Sequence, residues 1–313
     1  MLASLKGFRS RAVGPFSVST VWRKAFSPVL STSMQYREIK PKPPLSEFVE
    51  CFWILEGDGG AETAGDLILP DGCVEMVLNF GDPFCEHKQP NQKLTQPMRL
   101  VVGQMTGPMR IGPTGSVQLI GVRFNPGGTR PFFRVPTEEL TNRYAALDDV
   151  ATDLDREITS REFEPSSLER SVRVLEELLT RRLHQPSRQD APVRHAVNRI
   201  LRSNGLIGIN ELASGAGISA RQLERRFLRE VGIGPKLLCR ILRFQQVFHA
   251  VEQDSGNWAS VAAHCGYYDQ SHLIRDFQQF AGAAPALILA NAGALTDFFT
   301  RKNRASLFSN TPC

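Results

Sequence analysis

The sequence predicts an α+β protein in which a β-rich domain precedes an all-α domain. Residues 36–149 are a series of short apolar runs separated by Gly and Pro, which is typical of strands joined by turns. Residues 209–285 instead carry one helix–turn–helix pattern twice. A chain of 313 residues is long enough for two such cores. Residues 186–190 (PSRQD) interrupt the helical periodicity and are the predicted linker.

The first 33 residues differ in composition from the rest of the chain. They are rich in Ser and Arg, and the first acidic residue is Glu38. We expect residues 1–33 to be a disordered extension, or a spurious one if Met34 is the true start. An organelle transit peptide has a similar composition and is the remaining interpretation.

The predicted β-rich domain spans residues 34–185. Turns such as Pro70-Asp71-Gly72 separate its strands, because proline presets φ and glycine tolerates positive φ. Closely spaced short strands favour a barrel or a sandwich. The candidate strands are residues 48–55 (FVECFWIL), 67–70, 74–80 (VEMVLNF), 100–103 and 117–124 (VQLIGVRF).

The end of this domain is predicted to be helical. Leu140, Tyr144, Leu147 and Val150 would share one face of a helix, and a second apolar face begins at Leu168. These helices would either pack on the β-strands or form a dimer interface.

A small barrel can enclose a ligand, and polar side chains within apolar strands are the candidates for lining its cavity. Alternation along a strand places most polar residues on the solvent face, so a barrel filled by its own side chains is the alternative. The ligand-cavity candidates are Trp53 as an aromatic platform, Glu75, Asn79, Gln104, Gln118 and Arg123.

The all-α domain is predicted for residues 191–290, with a tail at 291–313. Each repeated unit has a short helix, a Gly-containing turn and a longer helix that begins after Ser219 or Asp269 as the N-cap. A helix of about 18 residues joins the two units and would span about 27 Å. When the width of the flanking units is added to this length, the two longer helices can enter successive major-groove segments about 34 Å apart.

The distribution of charge agrees with an anionic partner. Counting Lys and Arg against Asp and Glu, residues 1–40 carry +6, residues 41–190 carry −7 and residues 191–313 carry +6. A basic C-terminal part beside an acidic middle suggests binding to nucleic acid. A set of merely solvated basic helices would give the same count.

A family pattern is present in both units. The second unit carries Ala262-Ala263-His264-Cys265-Gly266-Tyr267, Asp269-Gln270-Ser271-His272-Leu273, Arg275, Phe277 and Gly282–Pro285, and the first carries Leu212-Ala213, Gly217-Ile218-Ser219, Leu223, Arg226-Phe227 and Gly232–Pro235. On these residues, 191–290 resembles the DNA-binding domain of AraC-family transcription regulators. The tail after Pro285 departs from the family, which usually has an aromatic residue soon after this proline.

The N-terminal part carries a second resemblance. Its motifs are Phe48–Trp53, Leu69-Pro70-Asp71-Gly72-Cys73-Val74-Glu75, Asn79 and Gly121-Val122-Arg123-Phe124. They are similar to a cupin-like sensor domain in one subgroup of these regulators. This resemblance implies a cupin-like barrel or sandwich and names no ligand.

Together the resemblances imply a sequence-specific transcription regulator that binds double-stranded promoter DNA at the nucleoid of the bacterial cytoplasm. The N-terminal domain would sense a small-molecule effector or form a homodimer. The implied base contacts are Arg221, Gln222, Glu224 and Arg225 in the helix 219–230, and Gln270, Ser271, Ile274 and Arg275 in the helix 269–280. Arg favours guanine and Gln favours adenine.

Two further residues, Arg229 and His272, are expected to contact phosphate. The second helix is expected to add less affinity than the first, because Asp269 and Asp276 lie close to its contacts.

The alternative is a cupin-like small-molecule-binding or enzymatic protein with a structural helical domain. Only His87 precedes residue 184, and one histidine cannot build the metal site of a cupin-like enzyme. There is no Gly-x-Ser-x-Gly, and the Gly-rich segment 215–220 follows a helix, where a dinucleotide fingerprint requires a strand. We therefore predict no catalytic residue, no metal and no cofactor. No run of 18 apolar residues predicts a membrane span.

Overall fold

The computed structural model describes residues 34–59, 65–89, 92–161, 163–164, 166–183, 190–253 and 257–290. A β-rich part extends to residue 183, and a helical part begins at residue 190, so the predicted fold class is confirmed. The expected N-terminal extension, the expected tail and most of the expected linker lie outside the described residues.

The β-rich part contains two antiparallel sheets. Across the larger sheet the strands are β1 (Gln35–Ile39), β2 (Val49–Asp58), β9 (Ser116–Phe124), β4 (Val74–Asn79), β7 (Arg99–Val102) and β10 (Tyr144–Ala146). Across the smaller sheet they are β3 (Asp66–Ile68), β8 (Met109–Pro113), β5 (Phe84–Gln89) and β6 (Gln92–Thr95). The five strands expected from apolar runs correspond to β2, β3, β4, β7 and β9.

The larger sheet is covered on both faces. Phe52 and Ile54 of β2 pack toward two helices, α1 (Leu147–Thr159) and α2 (Leu168–Arg182), whereas Trp53 packs toward the smaller sheet. Because successive side chains of a strand point to opposite faces, a strand buried on both sides is apolar along its whole length. This explains why residues 48–55 form an unbroken apolar run.

The predicted helix through residues 140–150 is wrong at its beginning. Residues Thr137–Leu140 form one 3-10 turn, and Tyr144–Ala146 form β10, which pairs with β7. The helix α1 begins only at Leu147. Pairing with β7 is a non-local contact that the helical spacing of apolar residues could not reveal.

The helical part contains seven helices within the residues described from 190 to 290. They are α3 (Ala191–Arg202), α4 (Ile209–Gly215), α5 (Ala220–Val231), α6 (Pro235–Gln253), α7 (Trp258–His264), α8 (Gln270–Ala281) and α9 (Pro285–Ala290). The units α4–α5 and α7–α8 repeat one design, and α6 joins them. The apolar residues after Pro285 take part in this fold, since Ile288 and Leu289 are buried in the helical core.

Both long helices of the repeat end in the same way. Gly232 follows α5 with φ of 93°, and Gly282 follows α8 with φ of 76°. Positive φ is readily adopted only by glycine, so these residues terminate the helices. A proline then begins the next helix in each unit, Pro235 in α6 and Pro285 in α9.

Among the described residues, the two parts of the chain contact each other at several places, including the end of α8, where an added Cβ at Gly282 would be 3.7 Å from Pro108. Leu69 of the β-rich part is buried in the core of the helical part. The hydroxyl groups of Thr137 and Thr141 donate hydrogen bonds to the carbonyl oxygens of Glu230 (3.1 Å) and Gly232 (2.6 Å) at the end of α5. The end of α5 is therefore anchored to the β-rich part.

Candidate nucleic-acid interface and ligand cavity

The first candidate DNA-contacting helix, α5, is amphipathic and has a capped N-terminus. Leu223 and Phe227 are fully buried, and the Ser219 hydroxyl accepts a hydrogen bond from the Gln222 backbone N–H at 3.2 Å. Five of the proposed DNA contacts are exposed on the opposite side of the helix. They are Arg221, Gln222, Glu224, Arg225 and Arg229.

These exposed side chains are not equally available. The Gln222 side-chain carbonyl accepts hydrogen bonds from the Ser219 backbone N–H (3.0 Å) and hydroxyl (3.1 Å), which closes a capping box. The Glu224 carboxylate lies against Gly234, where an added Cβ would be 2.3 Å from its Oε1. Both side chains are therefore folded onto their own unit.

The arginines of α5 provide most of its available charge. Arg226 lies 3.5 Å from the Asp190 carboxylate, whereas Arg221, Arg225 and Arg229 form no ion pair with any residue described. The latter three are exposed, so they can meet an anionic or hydrogen-bonding partner without breaking an existing pair.

The second candidate helix, α8, has a similar division of faces. Leu273 and Phe277 are fully buried, and the Asp269 carboxylate caps the helix by accepting the His272 backbone N–H at 2.7 Å. Gln270, Ser271 and Arg275 are exposed, and Ile274 and His272 are half-buried. The His272 ring packs edge-on against Tyr267 at 5.1 Å between centroids.

The two acidic residues beside α8 differ in exposure, because Asp276 is buried and Asp269 is exposed. Asp276 is 1% exposed and lies 2.6 Å from the guanidinium of Arg240 on α6. Asp269 is occupied as the N-cap. Asp276 therefore does not oppose an anionic partner on the exposed side of α8, whereas Asp269 is exposed at the start of the helix, so a weaker contribution from α8 stays a prediction.

One residue beside α8 was not identified from the sequence. The turn from Gly217 to the N-cap Ser219 is two steps long, but the turn from Gly266 to Asp269 is three, and the additional residue is Tyr268. Its side chain is 94% exposed at the beginning of α8. A comparison of the two turn lengths could have revealed it.

The connecting helix α6 fixes the two units to a common core. It has 19 residues and would extend about 28 Å at 1.5 Å per residue. Phe244 on α6 contacts Phe277 and Phe280 of α8, with ring centroids 4.8 Å and 5.3 Å apart. A movement of α6 therefore carries α8 with it.

A cavity of about 70 Å³ lies between the two sheets. Trp53, Glu75 and Asn79 line it, as the sequence predicted. Most of the remaining wall is apolar, and its residues include Leu55, Ile68, Val77, Phe84, Leu100, Met109, Ile111 and Leu119.

The other predicted cavity residues lie elsewhere. Arg123 is buried behind the cavity wall, and Gln104 lies in the segment after β7, where it donates a hydrogen bond to the Gly72 carbonyl at 2.7 Å. Gln118 does not line the cavity either. Gln104 follows the end of its strand, so the alternation of strand side chains could not predict its direction.

Arg123 forms the centre of a buried group of charges. Its guanidinium nitrogens lie 2.7 Å from Glu75, 3.5 Å from Asp71 and 3.7 Å from Glu38. Burial raises the pKa of Glu75 to about 7, although Arg123 opposes the shift. Three carboxylates around one guanidinium allow one of them to be protonated without leaving the buried arginine uncompensated.

Two classes of feature are absent from the described residues. Across the described parts of 34–290, no group of three or more His, Cys, Asp or Glu side chains could hold a metal ion. Within the same described ranges, no helix is long and apolar enough to cross a membrane.

Comparison with known families decides the nature of the helical part. Residues 212–291 match a family model described as a helix-turn-helix domain. The C-terminal part of this chain is an AraC-type helix-turn-helix domain. Residues 37–146 match a domain of unknown function, DUF6597, which covers most of the β-rich part. No protein of curated function matches the sequence significantly.

Solved structures of ToxT from Vibrio cholerae match most of this chain, with low sequence identity and low TM-scores. One, at 8% identity and a TM-score of 0.40, covers 83% of this chain and 98% of ToxT. A second, with an unsaturated fatty acid bound to ToxT, has 10% identity and a TM-score of 0.40 over 87% and 96% of the two chains. At these scores the similarity carries no argument about a ligand of this chain.

Proposed function

We propose that this protein is a transcription regulator that contacts two successive major-groove segments with α5 and α8. The observation that carries the proposal is the repeated AraC-type unit, in which two capped amphipathic helices share one rigid connector. Helix-turn-helix units place the N-terminal residues of the second helix against base edges. In both units these residues are exposed.

The side chains available on the two helices suggest a division of roles. On α5, Arg221 and Arg225 can each form two hydrogen bonds with guanine. On α8, Gln270 can pair with adenine, and Arg275 with guanine. Arg229, near the end of α5, is placed for phosphate contact, because only the first residues of such a helix reach the bases.

The proposed role of the β-rich part is to hold a small effector between its sheets. A cavity of about 70 Å³ is smaller than the range of about 300–1,000 Å³ typical of drug-sized ligands. Its walls are mainly apolar, with Glu75 and Asn79 as the predicted polar contacts. The effector proposed is therefore a small, largely apolar molecule with a hydrogen-bond donor for Glu75.

The DNA-binding proposal is tested by selection of binding sites with the full chain, followed by titration of single variants. Arg225→Ala and Arg275→Ala should each weaken binding by roughly 1–3 kcal/mol and relax the preference at one base pair. Arg156→Ala is the matched control, since Arg156 is exposed on α1 of the β-rich part. It should leave the preferred sequence unchanged.

Equal footprints and affinities for Arg225→Ala, Arg275→Ala and Arg156→Ala would contradict the assignment of α5 and α8. Titration across a salt series then separates the phosphate contribution from the base contribution.

A further inference from the structure

One short segment of the β-rich part has one side in the cavity and the other in the helical domain. Ile68 on β3 lines the cavity. Its neighbours Leu67 and Leu69 pack against the core of the helical domain. This arrangement follows from strand geometry, because successive side chains point to opposite faces. We call residues 66–72 the shared wall.

The turn at the end of the shared wall lies against the connector α6. The Pro70 carbonyl accepts a hydrogen bond from the side chain of Gln245, which is buried on α6, at 2.6 Å. At Gly72, an added Cβ would be 2.7 Å from Leu238 on the same helix. The backbone of this turn is therefore in direct contact with side chains of α6.

A second path joins the same turn to the cavity. Asp71 lies 3.5 Å from Arg123, which is bonded to Glu75 at 2.7 Å. Glu75 lines the cavity directly. The turn at residues 70–72 is thus linked to the cavity by the backbone of β3 and by this chain of charged side chains.

The shared wall includes a weakly paired part of the cavity surface. β3 has three residues and pairs, among the described strands, with β8 alone at the edge of the smaller sheet. The opposite wall is a sheet of six strands that α1 and α2 support from behind. A cavity of about 150 Å³ holds a molecule of benzene size, so an occupant of that size that is fully buried in the 70 Å³ cavity displaces a wall.

We infer that the shared wall transmits occupancy of the inter-sheet cavity to α6 and so changes the position of α8 relative to α5. The end of α5 is held to the β-rich part by Thr137 and Thr141. The shared wall contacts α6 on the C-terminal side of this anchor. A displacement of the shared wall therefore turns α6 about the residues that follow Gly232. The inference rests on the proposed function, because it concerns how the two DNA-contacting helices are spaced.

The test fills the cavity from its rigid side. Leu119→Phe places a larger side chain of the larger sheet in the cavity and so fills part of it. The substitution does not alter the shared wall itself. Leu154→Phe makes the same change on α1, in the layer between the larger sheet and the helices, and is the matched control. Each protein is titrated with DNA containing both half-sites and with DNA containing one, and amide hydrogen exchange is followed along α6.

The expected result is specific to the cavity. Leu119→Phe should change affinity for the double site by at least about fivefold, leave affinity for the single half-site unchanged and alter exchange in residues 238–248. Leu154→Phe should do none of these. In a Gln245→Met background, which removes the donor to Pro70 but keeps the side-chain size, the effect of Leu119→Phe should shrink.

Equal effects of Leu119→Phe and Leu154→Phe would overturn the inference, as would unaltered exchange in α6 or an effect that survives Gln245→Met undiminished. The hydrogen-exchange measurement needs no DNA, so it tests the coupling between the cavity and α6 even if the proposed function is wrong. A wrong proposed function would show separately, because the unsubstituted protein would then not bind DNA sequence-specifically. If Leu119→Phe prevents folding, Val77→Ile provides a smaller addition to the same cavity.

Discussion

Gln222 has two roles open to it, and the structure favours the capping role. Its side-chain carbonyl already accepts two hydrogen bonds from Ser219, as the reciprocal partner of a capping box. Gln222→Glu retains this acceptor and places a negative charge in the first turn of α5. Such a charge stabilises a helix start by about 0.3–1 kcal/mol, whereas Ser219→Ala, which removes the cap, should cost about 1 kcal/mol.

The same substitution separates capping from base contact in a DNA titration. If Gln222 serves only as a cap, Gln222→Glu should weaken binding by the same factor for every base at every position, because the added charge repels phosphate. Gln270 on α8 is the matched control, since it is exposed and makes no side-chain hydrogen bond with the residues described. Gln270→Glu should show a similar uniform loss from the added charge and, in addition, a loss of roughly 1–3 kcal/mol at one base pair.

The measurement is competitive binding against a panel of sites that differ at single base pairs, together with urea unfolding of each variant. Loss of preference at a single base pair on Gln222→Glu would refute the reasoning, and so would a fall in the unfolding free energy equal to that of Ser219→Ala.

Four further outcomes are expected. Gly121→Ala should destabilise the protein by about 1–3 kcal/mol or more in urea unfolding, because its Cβ would lie 1.8 Å from the Trp53 ring. The raised pKa of Glu75 stabilises the fold at low pH, and this contribution should be lost as pH rises from about 4.5 to about 7. Glu75→Gln should remove this part of the pH dependence of unfolding. Tyr268→Ala should weaken DNA binding about equally for all sequences, and Tyr268→Phe should reproduce the loss if the hydroxyl group bonds to phosphate. Arg229→Gln should reduce the slope of log affinity against log salt by about 0.9 without changing the preferred sequence.

The helical repeat could be predicted from sequence because its determinants are local. Ser219 and Asp269 cap their helices, Gly232 and Gly282 end them, and each acts on residues within one turn. The strands β5 and β6 were not expected, since segments such as QKLT have no apolar run and are exposed. Their place in the smaller sheet depends on pairing across the chain.

The cavity could be predicted only in part for a related reason. A general rule of alternation places polar strand residues in solvent, yet Glu75 and Asn79 line the cavity because the larger sheet is covered on both faces. The covering elements come from distant parts of the chain. Neither the role of Asp71 beside Arg123 nor the contact of Gln104 with Gly72 leaves a signal in local sequence.

A count of charges overstates the difference between the two candidate DNA-contacting helices, because it ignores which charges are already paired. On α5, Arg226 pairs with Asp190. On α8, Asp276 is paired with Arg240 and turned away from the exposed side. The pairing thus lowers the available positive charge of α5 and removes a negative charge from α8. The two helices should therefore differ less in electrostatic affinity than their sequences suggest, and more in chemistry.

That difference in chemistry bears on how the two units would divide a binding site. α5 offers three arginines that form no ion pair with the residues described, and arginine binds phosphate strongly and recognises guanine. α8 offers one arginine, Arg275, together with Gln270 and Ser271, whose amide and hydroxyl groups depend on close alignment with base edges. Because short-range hydrogen bonds are lost with small displacements, a pivot of α6 would affect the contacts of α8 far more than those of the anchored α5. A regulator built in this way would keep its hold on DNA through α5 and vary its sequence discrimination through α8.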